Sequence, residues 1–268
     1  MKRIVFCALL FLENVLYAQH KNHYSVEANY FYGNIIEHNP DLSHLITGHP
    51  EGLILSWNRK TYGFNAWERR FNYPDVGFTF TYQDMKNPYL GENFGFYGHM
   101  SFYFLNRNLV MKVGQGLAFT TNPYDPVTNY HNNAYGSRIM STTFFSGNFK
   151  KEDLFYGFGF QLGFSLLHYS NADFKSPNIS TNTIAFNFGL NYFLDRSVSY
   201  EYILKRPREK YTEPVHVNFV LRSGMNTTGI VGSEAFPFLT LAAYADKRLS
   251  RVSTLQAGAE LFLSGAAK

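Results

Sequence analysis

Between Tyr156 and Ser170 the chain alternates with a period of two. Tyr156, Phe158, Phe160, Leu162, Phe164 and Leu166 fall on one side, followed by His168 and Ser170, while Gly157, Gly159, Gln161, Gly163 and Ser165 fall on the other. Successive side chains point to opposite faces of a strand, so this segment predicts a strand with one greasy wall and one wall of small residues. The glycines supply small inward positions and permit the curvature of a barrel. His168 and Ser170 continue the greasy face, where a polar group without a partner costs free energy.

The rest of the chain fits such a strand. Of 268 residues, 18% are aromatic, with 27 Phe and 20 Tyr but 2 Trp, and 21 are glycine. Charged residues are 16%, below the roughly 25% of soluble domains. Nowhere do about 18 apolar residues run together, which argues against a membrane-spanning helix. This balance points to an all-β, antiparallel transmembrane barrel of the bacterial outer membrane. Lys2 and Arg3, the apolar run Ile4 to Leu12 and Leu16-Tyr17-Ala18 read as a signal peptide over residues 1–18. Residues 19–268 would then form the barrel domain. Cys7, the single cysteine, lies in the leader, so the mature chain would have no disulfide, no cysteine metal site and no cysteine nucleophile. The net charge of +4 is spread through turns without a basic patch, which gives nucleic-acid binding no support.

Period-two runs predict strands near residues 24–36, 52–62, 75–84, 93–105, 109–121, 137–149, 154–170, 181–194, 214–225, 237–246 and 252–263. The segments between them fall into two classes. Asn106-Arg107-Asn108, Lys150 to Asp153 and Asp246 to Arg251 are short and charged, whereas Glu37 to Glu51, Asn122 to Tyr135, Asn171 to Ser180 and Asn226 to Pro237 are long and rich in Asn, Pro, Gly and Ser. Outer-membrane barrels have short periplasmic turns and long extracellular loops. With the N-terminus periplasmic, alternation places each long segment outside and each short one inside. Gly63 to Pro74 and Asp195 to Pro214 fit this scheme less well. Bacterial single-chain barrels have even strand numbers, so the eleven runs suggest a barrel of about 12 strands whose last strand is missing from this chain.

In that topology the 154–170 strand runs outward and the next returns with Ile184, Phe186, Phe188, Leu190, Tyr192 and Leu194 facing lipid. Asn182 shares their parity. His168, Ser170 and Asn182 should therefore meet on the outer wall, level with the lipopolysaccharide leaflet. A serine activated by a histidine is the logic of acyl transfer from an ester. A polar pair at a membrane interface, beside Tyr169 as a belt residue, is the bland alternative.

The run His168-Tyr169-Ser170-Asn171-Ala172, followed by Ser176-Pro177-Asn178 and Asn182, resembles the lipid A 3-O-deacylase (PagL-type) family of outer-membrane barrel esterases. Gly48-His49-Pro50-Glu51-Gly52, Tyr73-Pro74-Asp75-Val76-Gly77 and Thr121-Asn122-Pro123-Tyr124-Asp125 look like its longer Bacteroidetes-type members, often called acyloxyacyl hydrolases. The resemblance implies Ser170 as nucleophile, His168 as general base, and Asn171 with Ala172 at the oxyanion and substrate-binding position. The family's acid, a glutamate in its best-known members, falls at Asn182, which can orient an imidazole but not neutralise an imidazolium. Asp173 is a second departure, either a substitute acid or a source of repulsion toward phosphorylated lipid A. The implied activity is cofactor-free hydrolysis of an acyl ester of lipid A, at the 3 position.

Three alternatives stay open: a structural or lipopolysaccharide-binding barrel with a degenerate site, a small porin, and a phospholipase of similar geometry. His38, His44 and His49 share one loop with spacings that match no standard zinc pattern and read as solvated. His99 reads as a wall or lumen residue. Arg59, Lys60, Arg69 and Arg70 read as solvated turn charges, and Trp57, Trp67 and many tyrosines as interface belts.

Overall fold

The computed structural model describes residues 23–194, 201–205, 211–227, 230–250 and 253–265. The expected signal peptide over residues 1–18, with Cys7, lies outside the described residues. Eleven antiparallel strands form: β1 (Tyr24–Ile35), β2 (Glu51–Arg59), β3 (Asp75–Asp84), β4 (Glu92–Phe104), β5 (Leu109–Thr120), β6 (Ile139–Phe155), β7 (Phe158–Ser170), β8 (Thr181–Phe193), β9 (Val215–Asn226), β10 (Phe236–Arg248) and β11 (Thr254–Ser264). Among the described residues no helix is long and apolar enough to cross a membrane.

The strands do not make one barrel of about twelve. β1 to β8 close on themselves, and β9 to β11 form a separate three-stranded sheet. Strand direction explains the number. β1 and β8 run in opposite directions and pair antiparallel from Ser25 opposite Phe193 to Ile35 opposite Thr183. With strict alternation β11 would run the same way as β1, and eleven strands would have to close through a parallel pair, which is slightly less stable per residue. The separate sheet still has a barrel-like pattern. One face carries Val217, Phe219, Leu221, Leu241, Leu261 and Leu263, and the other Asn218, Arg222, Asp246, Gln256 and Glu260. The backbone of Ile203 bonds with Tyr62 below the barrel, and Thr227 with the Asp173 carbonyl at the opposite end.

Burial follows parity around the barrel, as in the strict alternation of exposed and buried residues along Phe158 to Leu167 of β7. An eight-stranded barrel has an interior just wide enough for side chains, and they fill it. In the half near the long loops, Phe31, Ile54, Tyr97, Phe144, Leu167 and Tyr169 pack with Leu42, Leu45, Met85, Leu90, Ala134 and Tyr135 from the loops and strand ends. In the other half the filling is ionic. Glu27 takes Lys112 at 2.6 Å and Lys150 at 2.8 Å, Lys150 also meets Glu152 at 2.8 Å, and Glu152 meets Lys60 at 2.6 Å. His99 lies inside as well, bonded to Thr79 and Asn58.

Several sequence expectations change here. Lys150 to Asp153 is not a turn: β6 continues to Phe155, and the reversal comes at Tyr156 and Gly157, whose φ values are 48° and 90°. Two left-handed residues in succession are what a tight type I′ hairpin needs. Lys60 is buried in the ionic network rather than solvated. Tyr97, Tyr103, Tyr135 and Tyr169 are buried, so these tyrosines form no belt. The awkward Gly63 to Pro74 segment folds around a short helix, Ala66–Arg70, with Glu68 buried against the Gly63 backbone.

Removing one partner from a buried ion pair leaves an uncompensated charge and costs about 3 to 5 kcal/mol. Glu27→Ala, which strands both Lys112 and Lys150, is expected to lower barrel stability by that order. Urea unfolding of the detergent-solubilised protein checks it, and a midpoint equal to wild type would show that the network does not hold the lumen together.

Candidate functional site

The site grows from the β7–β8 hairpin at the end of the barrel where the long connections gather. His168 and Ser170 close the outward row of β7, and Asn182 opens the outward row of β8. Register places His168 directly opposite Asn182. Same-face residues opposite each other in an antiparallel pair hold their Cβ atoms about 4.5–5.5 Å apart, close enough for direct contact. The His168 imidazole donates from Nδ1 to Asn182 Oδ1 over 2.7 Å. That bond leaves Nε2 as the nitrogen available to a hydroxyl. All three side chains are half-buried and lie above an apolar wall of Phe164, Leu166, Ile184 and Phe186.

Ser170 turns toward Asn178. Its hydroxyl lies 3.2 Å from Asn178 Oδ1 and 3.0 Å from Asn178 Nδ2, and it accepts the Ala172 N–H at 3.1 Å. The Asn171 backbone donates to the same Asn178 oxygen at 2.9 Å. The Asn171 side chain is buried and donates to the Lys175 carbonyl. Asn171 therefore shapes the loop through its side chain and meets Asn178 through its backbone. Asn178, quoted in the sequence motif but given no role there, is the residue that touches Ser170 most fully. Its amide nitrogen donates to Ser170 Oγ, so an N–H lies beside the hydroxyl oxygen. Asp173 accepts from Asn178 Nδ2 at 2.9 Å, so it braces this amide and has no bond to His168.

Neighbouring loops fix the hairpin tip. Tyr135 of the β5–β6 loop reaches Thr181 Oγ1 at 2.5 Å and receives a bond from Asn93 Nδ2 at 3.1 Å. Burial pushes the Tyr135 phenol pKa up, keeping the hydroxyl protonated. Gly136 follows, and a Cβ there would lie 2.3 Å from the Lys175 carbonyl and 2.5 Å from that of Pro177. Only glycine lets the two loops approach so closely. The polar strip also extends sideways on the outer wall. Thr143 stands opposite His168 and Ser141 opposite Ser170, and both hydrogen-bond Gln115.

His38 is exposed, as a solvated loop histidine should be, and it also reaches the site, with Nδ1 3.3 Å from Asn182 Nδ2 and Nε2 3.0 Å from the Ile179 carbonyl. No sequence signal could join residues so far apart in the chain. His44 bonds the His131 carbonyl and His49 the Asn34 side chain. Among the described residues no group of three or more His, Cys, Asp or Glu could hold a metal ion.

The structure is thus a closed β-barrel with a histidine, a serine and two asparagines gathered on its outer wall near the long loops. The model of the lipid A 3-O-deacylase (PagL) family matches residues 51–191, just over half of the chain, including β7 and β8 as far as Asn191, and this chain belongs to that family. No curated protein and no solved structure matches it.

Losing one positioned oxyanion donor typically costs about 10²- to 10³-fold in turnover. Asn178→Ala is expected to lower kcat for ester cleavage by about that factor with little change in KM. Steady-state kinetics on a mixed-micelle ester substrate would test this, and an unaltered kcat would remove Asn178 from the site.

Proposed function

We propose that this chain is an outer-membrane esterase that removes an acyl chain, the 3-O-linked one, from lipid A by a Ser-His mechanism. The observation that carries the reading is the bond from His168 Nδ1 to Asn182 at the long-loop end, with Ser170 on the same outward row of β7 as His168. An amphiphile in the outer leaflet can present its ester at that height without leaving the membrane. Its acyl chain would lie along Phe164, Leu166, Ile184 and Phe186, and its sugar among the loops.

In the reaction His168 Nε2 takes the Ser170 proton as Oγ attacks the ester carbonyl carbon. The carbonyl electrons move to oxygen, where Asn178 Nδ2 donates to the oxyanion. Collapse expels the sugar oxygen, which receives the proton from His168. Water activated by the same imidazole then releases the fatty acid and restores Ser170. The chemistry requires neither metal nor cofactor. Asn182 orients the ring as an asparagine does in Cys-His-Asn hydrolases, but without the charge that a carboxylate would place beside the imidazolium.

That uncharged partner also favours a second reading, a lipopolysaccharide-binding barrel with a degenerate site. The packed lumen, apolar at one end and ionic at the other, argues against a porin.

Mass spectrometry of lipid A from cells expressing the chain separates these readings. Wild type should remove one hydroxyacyl chain, and Ser170→Ala should reduce that conversion by at least about 10³-fold. Asn182→Glu should raise kcat by about tenfold or more by restoring the charge. Identical lipid A profiles for folded wild type and Ser170→Ala would defeat the esterase reading.

A further inference from the structure

We propose that His38 is a positioning residue which, through Asn182, keeps His168 in the tautomer able to deprotonate Ser170. The inference rests on the esterase reading above and concerns how an amide can work where a carboxylate would be expected.

A carboxylate at position 182 would offer an acceptor whichever way it turned. A carboxamide is not symmetric, since one end accepts and the other donates. With Oδ1 toward His168, the imidazole keeps its proton on Nδ1, and Nε2 is a free base. With Nδ2 toward His168, Nδ1 must accept, the proton moves to Nε2, and the nitrogen left for a hydroxyl is no longer basic. An asparagine at this position needs a neighbour that selects its orientation.

His38 has the geometry to do so. Its Nε2 lies 3.0 Å from the Ile179 carbonyl, which can only accept and so favours the ring proton on Nε2. In the neutral ring Nδ1 is then an acceptor, and Asn182 Nδ2 donates to it over 3.3 Å. Asn182 Oδ1 is thereby directed at His168 Nδ1, 2.7 Å away. The Ile36 carbonyl, 3.2 Å from His38 Nδ1, is also only an acceptor and competes for the ring proton; the shorter Ile179 contact and the Asn182 amide beside Nδ1 together favour the Nε2–H form. The backbone fixes the separation as well, because the Ile36 N–H donates to the Asn182 carbonyl at 2.7 Å. A continuous line of donors and acceptors runs from the Ile179 carbonyl through His38 and Asn182 to His168. Each proton along it is set by the backbone oxygen at its start.

Ring ¹⁵N spectra of the full chain, histidine-labelled in detergent micelles, test this directly at about pH 8, above the ordinary histidine range. The His168 signals are assigned by their loss in His168→Gln. Wild type should show His168 protonated on Nδ1. His38→Leu should shift it toward the Nε2–H form, while His38→Gln, which keeps an acceptor and a donor, should retain the wild-type pattern. In kinetics His38→Leu should lower kcat about tenfold or more, with KM changed by less than about twofold. In an Asn182→Glu chain, whose acceptor is symmetric, the same substitution should cost less than about threefold. An unchanged His168 tautomer in His38→Leu, or equal kcat losses in both backgrounds, would overturn the proposal. A tautomer that responds to His38 in a chain without esterase activity would sustain this inference while defeating the reading on which it rests.

Discussion

Closure of β1 on β8 is the constraint from which the other features follow. In hydrocarbon no water satisfies a backbone N–H or carbonyl, so a spanning sheet must have no open edge. Here the ladder from Ser25 and Phe193 to Ile35 and Thr183 removes the edge after eight strands. That number fixes the bore, and the bore leaves room for side chains alone. With the interior filled, the outer wall and the loop rim are the surfaces left for chemistry. The lipid-facing site proposed above is in keeping with so small a bore.

The filled lumen also explains why charge was a poor guide to turns. Lys150 and Glu152 interrupt an apolar run, and on the surface of a soluble protein such residues mark a reversal. In a barrel the inward face is shielded from lipid, so charges there are stable if they meet opposite charges. Glu27 meets two lysines, and Glu152 does the same through Lys60 and Lys150. The same residues that looked like solvent contacts are the packing of the lower half. Tyr169, read as a belt residue, is likewise an inward side chain beside Thr81.

At the site the decisive groups are amides. Asn178 bridges the Ser170 hydroxyl and the Asn171 backbone, and Asn182 holds His168. Amides give direction without charge. The cost is that their orientation must be set by neighbours. The β1–β2 loop provides one through His38, and Asp173 provides another through Asn178. The close approach at Gly136 keeps the hairpin tip within reach of the surrounding loops.

Period-two alternation by itself determined the strands, their outward faces and the pairing of His168 with Asn182 on one of them. Those properties are local, because parity along a strand and register across one hairpin need no knowledge of the rest of the chain. The family motif lies in the same hairpin and was legible for the same reason. Only the tertiary structure decided that eight strands close and three stand apart, since closure depends on the relative direction of strands far apart in sequence. It also decided which charges enter the lumen, and that His38 joins the site, because side chains from separate loops are brought together by the barrel and not by their spacing along the chain.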